Sequence, residues 1–231
     1  MRWIEKRPEP ASFTAWRERA AAAGQLSWSE LQNPEKQELR EALLREQCDL
    51  CCYCCDRVVH PNCHIEHLRP RSGFSEQALT YDNLLVSCQR DVAGITRVPR
   101  HCGKAKDNWF DESLFVSPLQ PDCADYFAFT SSGVIEPAAS VPKQDAARET
   151  IQRLALDLPK LRDRRAARIE AALEGIESWS TEEWSRRLKR YGEADATGRR
   201  EAFSDAIVFL LGRYAPRSPS QMSSRNARLD R

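Results

Sequence analysis

The spacing of apolar residues predicts helices near the start of the chain. Apolar side chains recur on one face from Ser12 to Ala23, which is typical of an amphipathic helix. The pair Asn33-Pro34 suits an N-cap followed by a first helical turn, and it predicts a second helix that ends near Gln47. Two helices are therefore expected before the pattern changes.

Towards the C-terminus the pattern predicts a short hairpin and then helices. Apolar residues over 125–130 and 134–135, joined by a Ser-Ser-Gly turn, predict two strands. Helical spacing then predicts four helices, over residues 147–158, 166–176, 184–191 and 199–214. The apolar residues of the last helix would form core or dock a partner: Phe203, Ile207, Leu210 and Leu211. Residues 216–231 are rich in serine and arginine and predict a disordered, basic tail.

The helical period fails between about Cys48 and Asp111. Cysteines, histidines and prolines alternate with short apolar runs, and residues 81–86 form its single helix-like turn. The chain is therefore expected to be an α+β protein, mainly α-helical, with a small metal-stabilised module between N-terminal helices and a C-terminal helical region. The predicted parts are the N-terminal helices (1–47), the module (48–112), the hairpin with the C-terminal helical region (113–215) and the tail (216–231).

Seven of the nine cysteines lie between Cys48 and Cys88. No apolar stretch approaches the roughly 20 residues that span a bilayer, and the first residues lack a signal-peptide core, so a soluble, cytoplasmic protein is expected. A reducing cytoplasm does not favour disulfides. Metal binding is the leading explanation of the cysteines, and buried free thiols are the alternative.

The charges nearly cancel, which changes the expectation about partners. The formal net charge is +1 although 30% of the residues are charged. Any surface that binds nucleic acid must therefore be local.

Two Cys-x-x-Cys pairs overlap at the start of the module. Cys51 with Cys54 and Cys52 with Cys55 both have the spacing that lets two thiolates reach one ion. The spacing alone leaves the register open.

A tetrahedral zinc site needs a second pair of ligands, which we predict to be Cys88 and Cys102. The insertion between them, residues 89–101, adds only about 1 kcal/mol of loop-closure entropy. A structural zinc contributes roughly 10 kcal/mol or more to folding, so it can hold such an insertion. His60 and His101 are rival ligands.

Between the cysteine pairs lies the dipeptide Glu66-His67. A carboxylate supplies a hard oxygen ligand for magnesium or manganese, and a neighbouring imidazole can take a proton from water. Phosphodiester hydrolysis needs both groups. Taken alone, however, the dipeptide is more typical of a solvated surface pair.

Four motifs follow one another along the module: Cys-x-Tyr-Cys, Ile-Glu-His-x-x-Pro, Asn-Leu-Leu-x-x-Cys and Cys-Gly-x-x-Lys. In this order they resemble the HNH, or ββα-metal, nuclease family, which implies a zinc-stabilised ββα-metal module. The resemblance implies that His67 is the general base, that Glu66 is an acidic ligand of a catalytic Mg²⁺ or Mn²⁺, and that Asn83 orients the loop that carries the base. Tyr53 favours one cysteine register, so the implied zinc ligands are Cys51, Cys54, Cys88 and Cys102.

One position departs from this family pattern. Many HNH nucleases carry an asparagine or histidine directly after the last cysteine as a second metal ligand, and here that residue is Gly103. His64, which lies on the same strand face as Glu66, or Asn108, further along the presumed short helix, is the candidate replacement. Four neighbouring cations are candidate phosphate contacts: Arg69, Arg71, Lys104 and Lys106.

Further short phrases extend the resemblance over most of the chain. The opening Met-Arg-x-Ile-x-Lys and the later Leu-x-Leu-Asp-Leu are similar to the HNH proteins of Septu anti-phage systems and related retron-associated nucleases. That resemblance implies an ABC-type ATPase partner. It fits the absence of a Gly-x-x-x-x-Gly-Lys-Ser/Thr phosphate loop from this sequence.

These observations predict a metal-dependent endonuclease that cleaves DNA as the effector of an anti-phage defence system. Because the same base and metal hydrolyse either backbone, an RNA target such as transfer RNA is an alternative. A binding or adaptor subunit with a degenerate site is a second alternative, which Gly103 leaves open.

Overall fold

The structure, a computed structural model, describes residues 1–58, 61–89, 99–139 and 144–215. The α-helices among these residues are α1 (Ala11–Ala22), α2 (Glu35–Glu46), α3 (Gly103–Lys106), α4 (Gln144–Arg153), α5 (Pro159–Leu173), α6 (Thr181–Gly192) and α7 (Ser204–Tyr214). The strands are β1 (Cys63–His67), β2 (Leu84–Cys88), β3 (Phe127–Phe129) and β4 (Ile135–Pro137). The prediction of a mainly helical protein with small sheets is confirmed.

Helices α1 and α2 pack against each other ahead of the module. Helix α1 buries its predicted apolar face. The prediction that Asn33 caps α2 is wrong, because Pro34 occupies the cap position without a side-chain hydrogen bond. The amide of Lys36 donates to the carbonyl oxygen of Gln32 (2.9 Å), so Asn33 already lies within this turn.

Strands β1 and β2 pair antiparallel at the centre of the module and place Glu66 opposite Leu85. The helix-like turn predicted over 81–86 is wrong in its second half: a 3₁₀ turn covers Tyr81–Asn83, and β2 follows directly. Strand β2 is buried on both faces. Its apolar residues therefore form a continuous run, which periodicity alone does not distinguish from a helix.

The predicted β3–β4 hairpin is confirmed. Helix α5 begins at Pro159, earlier than predicted. The apolar pattern misses its first turns because the charged Arg165 lies on the buried face and interrupts the apolar period. The Arg165 guanidinium donates to the carbonyl oxygens of Gly133 and Leu156. The four apolar residues of α7 offered for docking are all buried, so they form core instead. The predicted tail lies outside the described residues.

One hydrophobic core joins the N-terminal helices, the module and the C-terminal helices. Helix α2 packs on β2, and α7 packs on β3, α5 and α6. Among the described residues, no helix has the length and the apolar character needed to span a membrane.

Candidate metal centres and catalytic site

Four cysteine sulfur atoms meet where the loop before β1, the end of β2 and the start of α3 come together. They all lie within 4.8 Å of one another and belong to Cys51, Cys54, Cys88 and Cys102. The Sγ atoms of Cys54 and Cys88 are 3.8 Å apart. Zinc–sulfur bonds of about 2.3 Å give a tetrahedral edge of roughly 3.8 Å. The group could hold a structural metal such as zinc, and Cys52 and Cys55 lie outside it.

Two polar groups lie against these sulfur atoms. The amide of Cys88 donates to the Sγ of Cys51 (3.4 Å). The Nδ1 atom of His101, a rival ligand in the sequence, is 3.2 Å from the Sγ of Cys102 and 3.6 Å from that of Cys88. His101 therefore neighbours a four-sulfur group that is complete without it. His60, the other rival, lies outside the described residues.

Glu66 points from β1 into the module and is only 6% exposed. Its Oε1 atom accepts hydrogen bonds from the Tyr53 hydroxyl (3.1 Å) and the Lys106 ammonium (3.0 Å). Its Oε2 atom lies 3.1 Å from Nε2 of His64. Burial opposes ionisation of this carboxyl group, but His64 and Lys106 outweigh burial and lower the pKa of Glu66. Glu66 is therefore a carboxylate, the form that binds cations.

His64 lies beside Glu66 on the same face of β1. Its Nδ1 atom is 2.7 Å from the carbonyl oxygen of Gln89, and because a carbonyl only accepts, this nitrogen carries a proton. Histidines that bind metal through Nε2 are commonly fixed by such a bond at Nδ1. Asn108, the other candidate ligand, is exposed and lies beyond the end of α3. The structure thus brings His64, and not Asn108, to Glu66.

His67 ends β1 and packs edge-on against Trp28, with 4.4 Å between the ring centroids. Its Nε2 atom donates to the carbonyl oxygen of Ala78 (3.0 Å). Burial, reinforced by the nearby Arg71 charge, lowers the pKa of His67 to about 4. The imidazole is therefore neutral near pH 7, and its Nδ1 atom remains to accept a proton.

Asn83 fastens the loop between β1 and β2 and is itself 5% exposed. Its Oδ1 atom accepts from the amide of Arg69 (2.7 Å), and its Nδ2 atom donates to the carbonyl oxygens of Arg69 and Gln77 (3.1 Å each). These bonds hold the loop that brings the Ala78 carbonyl to His67. The role that the resemblance implies for Asn83, which is to orient the loop that carries the base, stays a prediction.

The predicted phosphate contacts have different surroundings. Lys106 is 1% exposed, and its ammonium pairs with Glu66 and the carbonyl oxygen of His67, so it is not the surface phosphate contact that the sequence suggested. Arg69 pairs with Glu112 (2.8 Å). Arg71 is exposed, and Lys104 is half-buried in α3.

Comparison with known proteins gives one relationship that bears on this site. No protein-family model matches the chain. The chain is 31% identical over 140 residues to a protein of Vibrio cholerae serotype O1 biovar El Tor named "Retron Vc95 putative HNH endonuclease". The chain is thus similar to a protein that carries the HNH endonuclease name. The alignment covers 58% of this chain and 65% of the Vibrio protein, so the chain spans slightly less than two thirds of that relative. The predicted HNH and retron resemblance is confirmed.

Gly103 occupies the position where many HNH nucleases carry a second metal ligand. A Cβ atom here would lie 2.3 Å from Oε2 of Glu66 and 2.8 Å from Nε2 of His64. Both distances are shorter than any ordinary contact. The carboxylate of Glu66 and the imidazole of His64 together occupy the space that a side chain at position 103 would need.

Replacing Gly103 with alanine is expected to displace Glu66 and lower the rate of metal-dependent cleavage by about 100-fold, the scale of loss for a 1 Å misplacement. The measurement is a cleavage time course, with the melting temperature recorded in parallel. Gly73→Ala is the matched control, because a Cβ atom there meets nothing within 4 Å. Equal rates for both variants would contradict this view of position 103.

Several residues that contact Glu66, His64 or His67 carry little signal in the sequence. In the sequence, Tyr53 indicates only the cysteine register, although its position inside the first motif also places it close to the site. Trp28 and the carbonyl groups of Ala78 and Gln89 carry no sequence signal for a role beside the histidines. Their contacts depend on how the loops fold.

Proposed function

We propose that this chain is a metal-dependent HNH endonuclease that hydrolyses phosphodiester bonds, most readily those of DNA. The observation that carries the proposal is the pairing of a buried carboxylate, Glu66, with the neutral imidazole of the next residue, His67. The relationship to the Vibrio protein supports the same reaction class.

The donor set beside β1 fits a catalytic Mg²⁺ or Mn²⁺. Oε2 of Glu66 and Nε2 of His64 are 3.1 Å apart. Adjacent ligands of an octahedral magnesium are separated by roughly 3.0 Å. We propose that these two atoms hold the cation, while the Tyr53 hydroxyl and the Lys106 ammonium orient the carboxylate through Oε1. A cation bound there would neutralise charge on the phosphate and leaving oxygens.

The chain's own residues supply the proton transfer. The Nε2–H group of His67 is committed to the Ala78 carbonyl, so Nδ1 accepts the proton of the attacking water as the water oxygen bonds to phosphorus. The phosphorus–oxygen bond to the leaving group breaks, and that oxygen takes a proton from solvent. Asn83 acts as a positioning residue, because it holds the loop that fixes the imidazole.

The substrate is tested by incubating the purified protein with plasmid DNA, single-stranded DNA and transfer RNA, each with Mg²⁺ or Mn²⁺. Cleavage of either DNA that stops when the divalent cation is withheld is the expected result. Cleavage of transfer RNA and of neither DNA would contradict a DNA substrate and support the RNA alternative. Binding without cleavage of any substrate would favour the adaptor alternative and contradict the proposed activity.

We further propose that the protein works in the cytoplasm, within an anti-phage defence system, together with an ABC-type ATPase. The support is the resemblance to Septu and retron-associated HNH proteins, the retron name of the Vibrio relative, and the lack of a phosphate loop in this sequence. Co-purification of the chain from its native cells should recover such an ATPase. Recovery of the chain alone under mild conditions would contradict a stable partnership.

A further inference from the structure

A group of cations lies beside His67, contributed by α2 and by the loop between β1 and β2. The Trp28 ring, which packs on His67, has the Lys36 ammonium 5.1 Å and the Arg71 guanidinium 5.8 Å from its centroid. Cations near a tryptophan face are attracted to the ring and held in place by it. Trp28 therefore contacts one cation from α2 and one from the β1–β2 loop, both next to the proposed base.

These charges are not compensated by the protein. Burial lowers the pKa of Lys36, and the like charges of Arg40 and Arg71 lower it further, so both guanidinium groups are close enough to repel the Lys36 ammonium. Among the described residues, none of the three forms an ion pair. Glu35, their neighbour on α2, pairs instead with Arg19 (2.8 Å).

Arg40 adds an independent sign of a missing ligand. Its Nε atom is buried from solvent and has no hydrogen-bond partner within the described structure. A buried donor without a partner is unfavourable, because it has lost its hydrogen bonds to water. Arg69 and Lys106, by contrast, are paired with Glu112 and Glu66. Arg69 and Lys106 are therefore not part of the group around Lys36.

We propose that Lys36 and Arg71, which lie against Trp28, together with Arg40, which lies one turn after Lys36 on α2, form a binding site for a backbone phosphate of the nucleic-acid substrate adjacent to the phosphate that is cleaved. This inference rests on the proposed nuclease function and extends it to α2. A phosphate accepts hydrogen bonds from guanidinium and ammonium groups and removes their mutual repulsion. The N-terminal helices then take part directly in substrate binding.

The test is binding of a labelled oligonucleotide, as DNA and as RNA, measured by fluorescence anisotropy without added divalent cation. Binding is measured at salt concentrations from about 50 to about 200 mM. Each lost phosphate contact reduces the slope of the logarithm of the association constant against the logarithm of the salt concentration, by about 0.9 for duplex DNA and about 0.7 for single strands. We expect Lys36→Ala and Arg40→Ala each to weaken binding and to reduce the slope by about one contact. Whichever labelled oligonucleotide binds with the higher affinity, DNA or RNA, indicates which backbone this site prefers.

Lys189→Ala is the matched control, since Lys189 is an exposed cation on α6, which packs on α7 rather than on the site. Unchanged zinc content and melting temperature would confirm that the variants are folded. Wild-type affinity and slope in both Lys36→Ala and Arg40→Ala would overturn this inference and leave the nuclease proposal standing. If the wild-type chain bound neither DNA nor RNA, the proposed function itself would fail.

Discussion

Replacing Cys102 with serine is expected to remove bound zinc and most of the stability of the fold. The four sulfur atoms join the loop before β1, the end of β2 and the start of α3. A structural zinc contributes roughly 10 kcal/mol or more to folding, whereas a whole domain is stable by only about 5–15 kcal/mol. Zinc per chain and the thermal unfolding transition measure the effect.

Cys48→Ser is the control for this prediction, because Cys48 lies just before the module's sulfur group and is not part of it. That variant should keep its zinc and its melting temperature. A Cys102→Ser protein that unfolds at the wild-type temperature would show that the metal is not structural.

Replacing His67 with alanine is expected to lower the cleavage rate by about 10²–10⁴-fold, the usual contribution of a general base. Zinc content should stay at the wild-type level, because His67 does not touch the four sulfur atoms. Added imidazole should restore part of the cleavage rate, because removal of the His67 ring leaves space beside Trp28 for a free imidazole. A purely structural role for His67 predicts no such rescue, and full activity without it would exclude the general-base assignment.

The module was predictable because its chemistry follows the order of the sequence. Cysteine spacing and the Glu66-His67 pair leave the ligands and the base open when taken alone, and it is the resemblance carried by four motifs in a fixed order that implies them. The choice between His64 and Asn108 needed the structure, because a sequence does not say where a short helix ends. Helix α3 stops at Lys106, which leaves Asn108 exposed while β1 holds His64 against Glu66.

The roles of charged side chains were the least predictable, since a sequence gives charge but not burial. Lys106 belongs to the site interior, and Arg165 lies in the core, although both look like surface cations in the sequence. The same limit hid the cations around Trp28, whose proximity to His67 depends on how α1, α2 and the module pack together.

The measurement that most directly tests the account is a titration of cleavage with Mn²⁺ for the wild-type chain and Glu66→Gln. The glutamine keeps the size of the side chain but loses the charge that binds the cation. The wild type should saturate, while Glu66→Gln should be inactive or need more than about 10-fold more metal. Asn108→Ala, an exposed residue away from Glu66, should titrate like the wild type. A Glu66→Gln curve that coincides with the wild-type curve would contradict the central claim that Glu66 holds the catalytic metal.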